Sequence, residues 1–314
     1  MTMVSNDPVW WPSINGFRVQ SYFAVAAFVA VVYDWSLTFG QEVELIWRQR
    51  WSVMTAMYLG ARYLGILSAA LSILGNVPTI WLTDTVSWIM YTVWNWMGVV
   101  VVAMLWVIII ARLHAMYQGS RKILIFLIVT FLAINTFDTM VTTMTTMHTS
   151  GEEFILSGTH QCQIDYSKDI PLLSSITWIL ATVWEVLALC LAVWMAVKHL
   201  RELRQHSAGG IIEDCFMVLM KTHAVYFASF VAVSCFHLIL DFYPTFFTDN
   251  SLDPLIVSGC LQILEVVQMF VLGPRLILGV REYHAKLVAD SDVATGMTSI
   301  AFQERVEIST GSGV

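Results

Sequence analysis

Residues Trp88–Ala111 read WIMYTVWNWMGVVVVAMLWVIIIA, without one Asp, Glu, Lys or Arg. A helix rises about 1.5 Å per residue, so roughly 20 apolar residues cross the hydrocarbon core of a bilayer. Working outward from this stretch, six more runs of comparable length and character appear: Val19–Phe39, Ser52–Leu74, Lys122–Thr142, Pro171–Val197, Met217–Leu240 and Pro254–Leu272. Seven such runs predict an all-α, seven-transmembrane-helix bundle. Ten-residue segments of alternating hydrophobicity, the mark of a membrane β-barrel, are absent. Composition agrees. Of 314 residues 57% are hydrophobic and 12% charged, against about 25% charged in soluble domains. Mean hydropathy is +0.70. A soluble enzyme, a nucleic-acid binder and a disordered chain are excluded as descriptions of the whole. The net charge of -7, without a Lys/Arg block, argues against nucleic acid as a partner.

Orientation follows from Lys and Arg in the loops. With the N-terminus outside, thirteen fall on the cytoplasmic side, from Arg48 and Arg50 to Arg305, and two, Arg18 and Lys168, on the outer side. The C-terminus is then cytoplasmic. The expected organisation is an outer tail 1–18, a seven-helix domain 19–272, a short amphipathic juxtamembrane helix 273–290, for which an extension of the seventh span is an equal alternative, and a disordered tail 291–314. The start of the chain carries Asp7, Pro8 and Pro12 and no base before Arg18, unlike a cleavable signal peptide. A multi-pass location follows, with the plasma membrane expected ahead of endomembranes. Cys215 stands where a juxtamembrane thiol could be palmitoylated.

The stretch Tyr33–Gly65, YDWSLTFGQEVELIWRQRWSVMTAMYLGARYLG, is distinctive. Through Asp34, Leu37, Thr38, Glu42, Val43, Ile46, Trp47, Trp51, Tyr58, Arg62 and Tyr63 it resembles a fungal, mostly basidiomycete, seven-helix membrane family known as domain of unknown function 6533. Two further stretches fit: ARLHAMYQGSRKIL, with Arg112, Ala115 and Tyr117, and GPRLILGVREYH after the last span. An aromatic is expected where His114 stands. The resemblance implies a fold and a membrane location, and no reaction, ligand or partner.

Charges inside spans are costly, by insertion scales about 2.5–3.5 kcal/mol each at the centre, and they pair. Asp34 near the end of the first span and Arg62 within the second differ in depth by some 6 Å, which an Arg side chain can bridge. An Asp34–Arg62 ion pair is expected, the alternative being an Asp34 that only caps its helix. Glu185 and Glu265 lie near mid-bilayer, each on a polar stripe. Ser258, Gln262, Glu265 and Gln268 share one face of the last span, and Ser174, Thr177, Ala181 and Glu185 one face of the fifth. These define a candidate ligand or ion site of Glu185, Gln262, Glu265 and Gln268. His237 and Asp241, four apart in the sixth span, could pair and extend it. Asn135 and Asp138 could line an outer vestibule. The blander alternative is interhelical hydrogen bonding as packing glue. His148, His160 and Cys162 in the outer loop lack metal-site spacing.

The leading reading is a receptor-like sensor with the topology of a G-protein-coupled receptor. Its cytoplasmic face would offer Arg48, Arg50, Arg112 and Arg201 to a signalling protein. Detailed motifs of that class are missing: Ala111 precedes Arg112, and the last span ends Gly273-Pro274-Arg275. The alternative is a transporter or proton-coupled carrier using Glu185 and Glu265, although no internal repeat supports one. A non-catalytic membrane scaffold is the third reading. Retinal is disfavoured because a Schiff base needs a Lys amine within the bundle and the last span has none. No nucleophile or metal constellation argues for an enzyme: His223 and His237 stand too far apart on one helix to share a metal.

Overall fold

A computed structural model of the chain describes residues 3–49, 51–77, 83–117, 120–165, 170–205, 228–240 and 253–279, with 281, 282 and 285. The protein is all-α. The helices are α1 (Trp11–Glu42), α2 (Val53–Asn76), α3 (Asp84–Met116), α4 (Arg121–His148), α5 (Ile170–Gln205), α6 (Ala228–Leu240) and α7 (Asp253–Val267). A π-helical segment, Gln268–Leu272, prolongs α7, and the apolar helix runs on to Gly279. Among the described residues six helices are long and apolar enough to cross a membrane. The seventh, α6, is shorter as described, and residues 206–227 before it lie outside the described part.

Why these sequences make membrane helices is visible on α1. Ala24, Ala27, Val31, Asp34, Thr38 and Glu42 recur every three to four residues and are buried. Tyr22, Val25, Val29, Tyr33 and Leu37 recur at the same spacing and are exposed. In water the large apolar side chains would turn inward. Here they face out, and the small and polar residues pack within, as lipid solvent requires.

Consecutive helices pack as neighbours from α1 to α5, and α7 closes against α1 and α2. Glycines set the closest approaches. A Cβ at Gly259 would lie 2.1 Å from the ring of Phe23, and one at Gly65 2.4 Å from the ring of Phe270. Small residues at helix crossings allow this proximity where apolar burial gives no net drive. The core centres on α3. Val101, Leu105, Ile109 and Leu113 are buried, and Trp106 packs on the fully buried Trp184 of α5 with centroids 5.3 Å apart.

Several boundaries differ from expectation. Helix α1 starts at Trp11 after a 3-10 turn at Pro8–Trp10, so residues 8–18 of the expected tail are helical. The loop expected from Thr143 to Asp169 begins only after His148 and then folds. Strands β2 (Ser150–Leu156) and β3 (Thr159–Asp165) form an antiparallel hairpin, and β1 (Met3–Ser5) adds parallel to β2. The turn is Ser157–Gly158, both with positive φ (50° and 80°), the two-residue geometry whose twist matches a hairpin. Gly273–Gly279 continue α7, and Leu276, Ile277 and Leu278 are packed in the core instead of lying on a leaflet. The tail 291–314 lies outside the described residues.

Candidate functional site

Two polar clusters stand apart in the bundle, and α7 runs through both.

The first is an ionic knot at the Arg-rich end. Asp34, Thr38 and Glu42 occupy successive turns of one face of α1. Arg62 of α2, 2% exposed, reaches across them. Its Nη1 donates to Asp34 Oδ2 at 2.9 Å, its Nη2 to Thr38 Oγ1, and its Nε lies 3.3 Å from Glu42 Oε2. Glu42, fully buried, accepts three further hydrogen bonds, from Trp47 Nε1 (3.0 Å), Tyr63 Oη (3.0 Å) and Tyr58 Oη (3.2 Å). Trp47 reaches Glu42 from five residues on because Val43–Trp47 is a π turn, whose repeat sets i and i+5 together. Arg275, half-exposed on the extension of α7, pairs with the other oxygen of Asp34. Two carboxylates thus meet two guanidinium groups, and the knot is electrically neutral.

Further ties surround it. Arg281 donates to Leu45 O (3.1 Å) and Thr55 Oγ1 (2.7 Å), locking the end of α7 to the α1–α2 turn. Arg112 donates to Leu276 O at 3.1 Å, joining α3 to α7. Tyr117 donates to Leu191 O at 3.0 Å, joining α3 to α5. Arg112 therefore holds helices together instead of standing free for a partner. Of the expected partner face, Arg48 and Arg201 are exposed, and Arg50 lies outside the described residues.

The second cluster joins α5, α6 and α7. Glu185 of α5 is nine-tenths buried and accepts a 2.6 Å hydrogen bond from Ser234 of α6. His237, one turn further along α6, stacks flat on Trp178 of α5, with centroids 4.5 Å apart and planes 4° from parallel. Its Nε2 lies within ion-pair range of Glu265 on α7. His237 thus faces Glu265 across a helix interface; the other partner offered for it was Asp241. Asp241 is outside the described residues. Glu185 and Glu265, expected to share a site, are linked through α6. Gln262 and Gln268 flank Glu265 on the same stripe, and the buried Oε1 of each lacks a hydrogen-bond partner.

The other candidates are absorbed by local structure. Asn135 Nδ2 donates to Phe131 O of its own helix, and Thr177 Oγ1 to Ser174 O. Asp138 lies half-buried on α4. Periodicity missed Glu42, Arg275 and Trp178. The spacing of 34, 38 and 42 was a usable signal for Glu42. Nothing local announces the other two, which act on helices distant in sequence.

Together these features define a polytopic helical membrane protein whose first two helices are stapled by a buried ionic knot. Residues 22–67 match the model of a family of unknown function, DUF6533, so the chain carries a DUF6533 domain. The matched segment is the α1–α2 hairpin, and it supplies every member of the knot but Arg275. No curated protein matches the chain.

Proposed function

We propose that the protein is a receptor-like membrane sensor. Its input site is the α5–α6–α7 cluster, and α7 carries the response to the knot. The supporting observation is that one helix holds Glu265 against His237 at one level and Arg275 against Asp34 ten residues further on, about 15 Å along the axis. The π segment Gln268–Leu272 lies between them. Such segments recur at functional sites and let a helix change register locally. A ligand that moves Glu265 would shift Arg275, the exposed member of the knot, while Arg62 and Asp34 stay buried together. The Lys/Arg bias supports a cytoplasmic knot, Arg48 and Arg201 are exposed and could meet a signalling protein on that side, and a plasma-membrane location suits an outward-facing input. No step here calls for a cofactor or a catalytic group.

The test uses the full chain in lipid nanodiscs and follows hydrogen exchange at Gly273–Gly279. Glu265→Gln should change exchange there and leave the α1–α2 hairpin unaltered. Unchanged exchange at that end would refute coupling. The carrier reading predicts that proteoliposomes with a trapped pH dye lose an imposed proton gradient in a Glu185- and Glu265-dependent manner, and a sensor leaves it intact.

A further inference from the structure

We infer that the α5–α6–α7 cluster binds a ligand through a primary ammonium group. This rests on the reading of the cluster as the input site and names the chemistry of what it takes.

The first argument is charge. The half of the bundle away from the knot carries Asp84, Asp138, Glu185, Asp253 and Glu265 on its described helices. Across the same described parts of α3 to α7 there is no Lys or Arg: those that these helices carry, Arg112, Arg121, Lys122, Lys198, Arg201, Arg204 and Arg275, are all toward the knot end. Intramembrane carboxylates require a cation or a proton. The knot supplies its own guanidinium groups. In the second cluster His237 is the one side chain able to carry positive charge among the described residues, and it lies against Glu265. Glu185 is met by the neutral hydroxyl of Ser234.

The second argument is hydrogen bonding. Gln262 Oε1 and Gln268 Oε1 are both buried without a partner, and Gln268 is 6% exposed. A buried polar atom left unpaired costs about 1–3 kcal/mol. Both orphan atoms are acceptors, so the missing partner is a donor. At about 100° per residue, Gln262, Glu265 and Gln268 span an arc of about 120°, so the carboxylate lies between the two amide oxygens on one face. An anion would meet two carboxylates here, and a neutral ligand would leave Glu265 uncompensated whenever His237 is neutral. An alkyl ammonium brings both the charge and three N–H donors. Gln262 and Gln268 are about 9 Å apart along the axis. The ammonium therefore bonds Glu265 and one amide, and the second amide takes a further donor of the ligand or a bridging water.

The experiment is thermal unfolding of the full chain in nanodiscs, titrated with methylammonium chloride and, at matched ionic strength, with tetramethylammonium chloride or sodium chloride. Methylammonium should raise Tm saturably by about 2–4 °C, and neither other salt should. Glu265→Gln should abolish the rise. Gln262→Met, at a half-buried position, should weaken it in a protein that still folds. An equal rise with tetramethylammonium, which has no N–H, overturns recognition by donation. An equal rise with sodium overturns the organic ammonium in favour of a metal cation. A flat titration with all three overturns the ligand class. The exchange measurement on Glu265→Gln separates the two levels: altered exchange at Gly273–Gly279 with a flat titration removes the ammonium alone, and unaltered exchange removes the sensor reading as well.

Discussion

Arg62→Met should be among the most damaging single substitutions in this protein. The side chain is 2% exposed and serves Asp34, Thr38 and Glu42 at once. Without it Asp34 retains Arg275, but Glu42, fully buried, keeps only the neutral donors of Trp47, Tyr58 and Tyr63. The knot then carries one uncompensated negative charge. Breaking a buried ion pair from one side costs about 3–5 kcal/mol, whereas a neutral interhelical hydrogen bond in a membrane averages about 0.6 kcal/mol. The charge dominates, and Tm should fall by roughly 10 °C at about 2–4 °C per kcal/mol. The control is Arg62→Met with Glu42→Gln, which leaves Asp34 and Arg275 as a balanced pair and should recover at least half of the loss. Both are measured by unfolding of purified protein in nanodiscs, followed by tryptophan fluorescence. A single variant melting within about 2 °C of the parent, or a double variant no better than the single, would refute the charge argument.

Tyr58→Phe removes a 3.2 Å hydrogen bond to Glu42 and no charge. It should lower Tm by only about 1–4 °C in the same assay. Gly259→Ala drives a methyl into the ring of Phe23, 2.1 Å away, and should cost about 1–3 kcal/mol by overpacking, with Phe23→Ala relieving it in the double variant. Gly98→Ala meets nothing within 4 Å in the middle of α3, so it should be neutral or stabilise by up to about 1 kcal/mol. Tyr117 lies beyond the spans, and burial raises its hydroxyl pKa above the ordinary 10.0. The unfolded chain ionises first there, so this group favours unfolding as pH climbs past 10.0. Comparing Tm against pH for Tyr117→Phe and the parent should show a shallower alkaline decline in the variant.

The class of fold was legible because lipid selects uninterrupted apolar runs, and α2 to α5 and α7 are such runs. Their ends were less legible. Hydropathy stops the first span at Phe39, yet α1 continues through Glu42 into a π turn, since a carboxylate with four partners behaves as a core residue. The hairpin was missed because GEEFIL and HQCQID carry too little β-branched character to announce strands. Only Ser157–Gly158 hinted at the turn. Depth along the helices was enough to set Asp34 beside Arg62. The same reasoning sees one helix at a time, so for His237 it could offer only Asp241, which lies outside the described residues, whereas the contact of His237 with Glu265 depends on how α6 and α7 dock. Arg275 and Trp178 were unreadable for the same reason.

The contrast between the two clusters is what the sensor proposal rests on. Both place carboxylates inside a membrane, and both would be costly alone. The knot answers its two negative charges with two guanidinium groups from the chain itself and fills the remaining acceptor sites of Glu42 with a Trp and two Tyr donors. This charge-balanced network holds α1, α2 and α7 together. The cluster on α5, α6 and α7 differs in each respect. Its carboxylates outnumber its one ionisable base among the described residues, and two buried amide oxygens lack donors. Packing alone would be better served by apolar residues of similar volume. On the proposed reading, an occupant completes the charge and hydrogen bonding that these residues leave open. Because α7 links the open cluster to the closed one, the sensor proposal has completion of the first alter the setting of the second, whereas a scaffold predicts no such coupling.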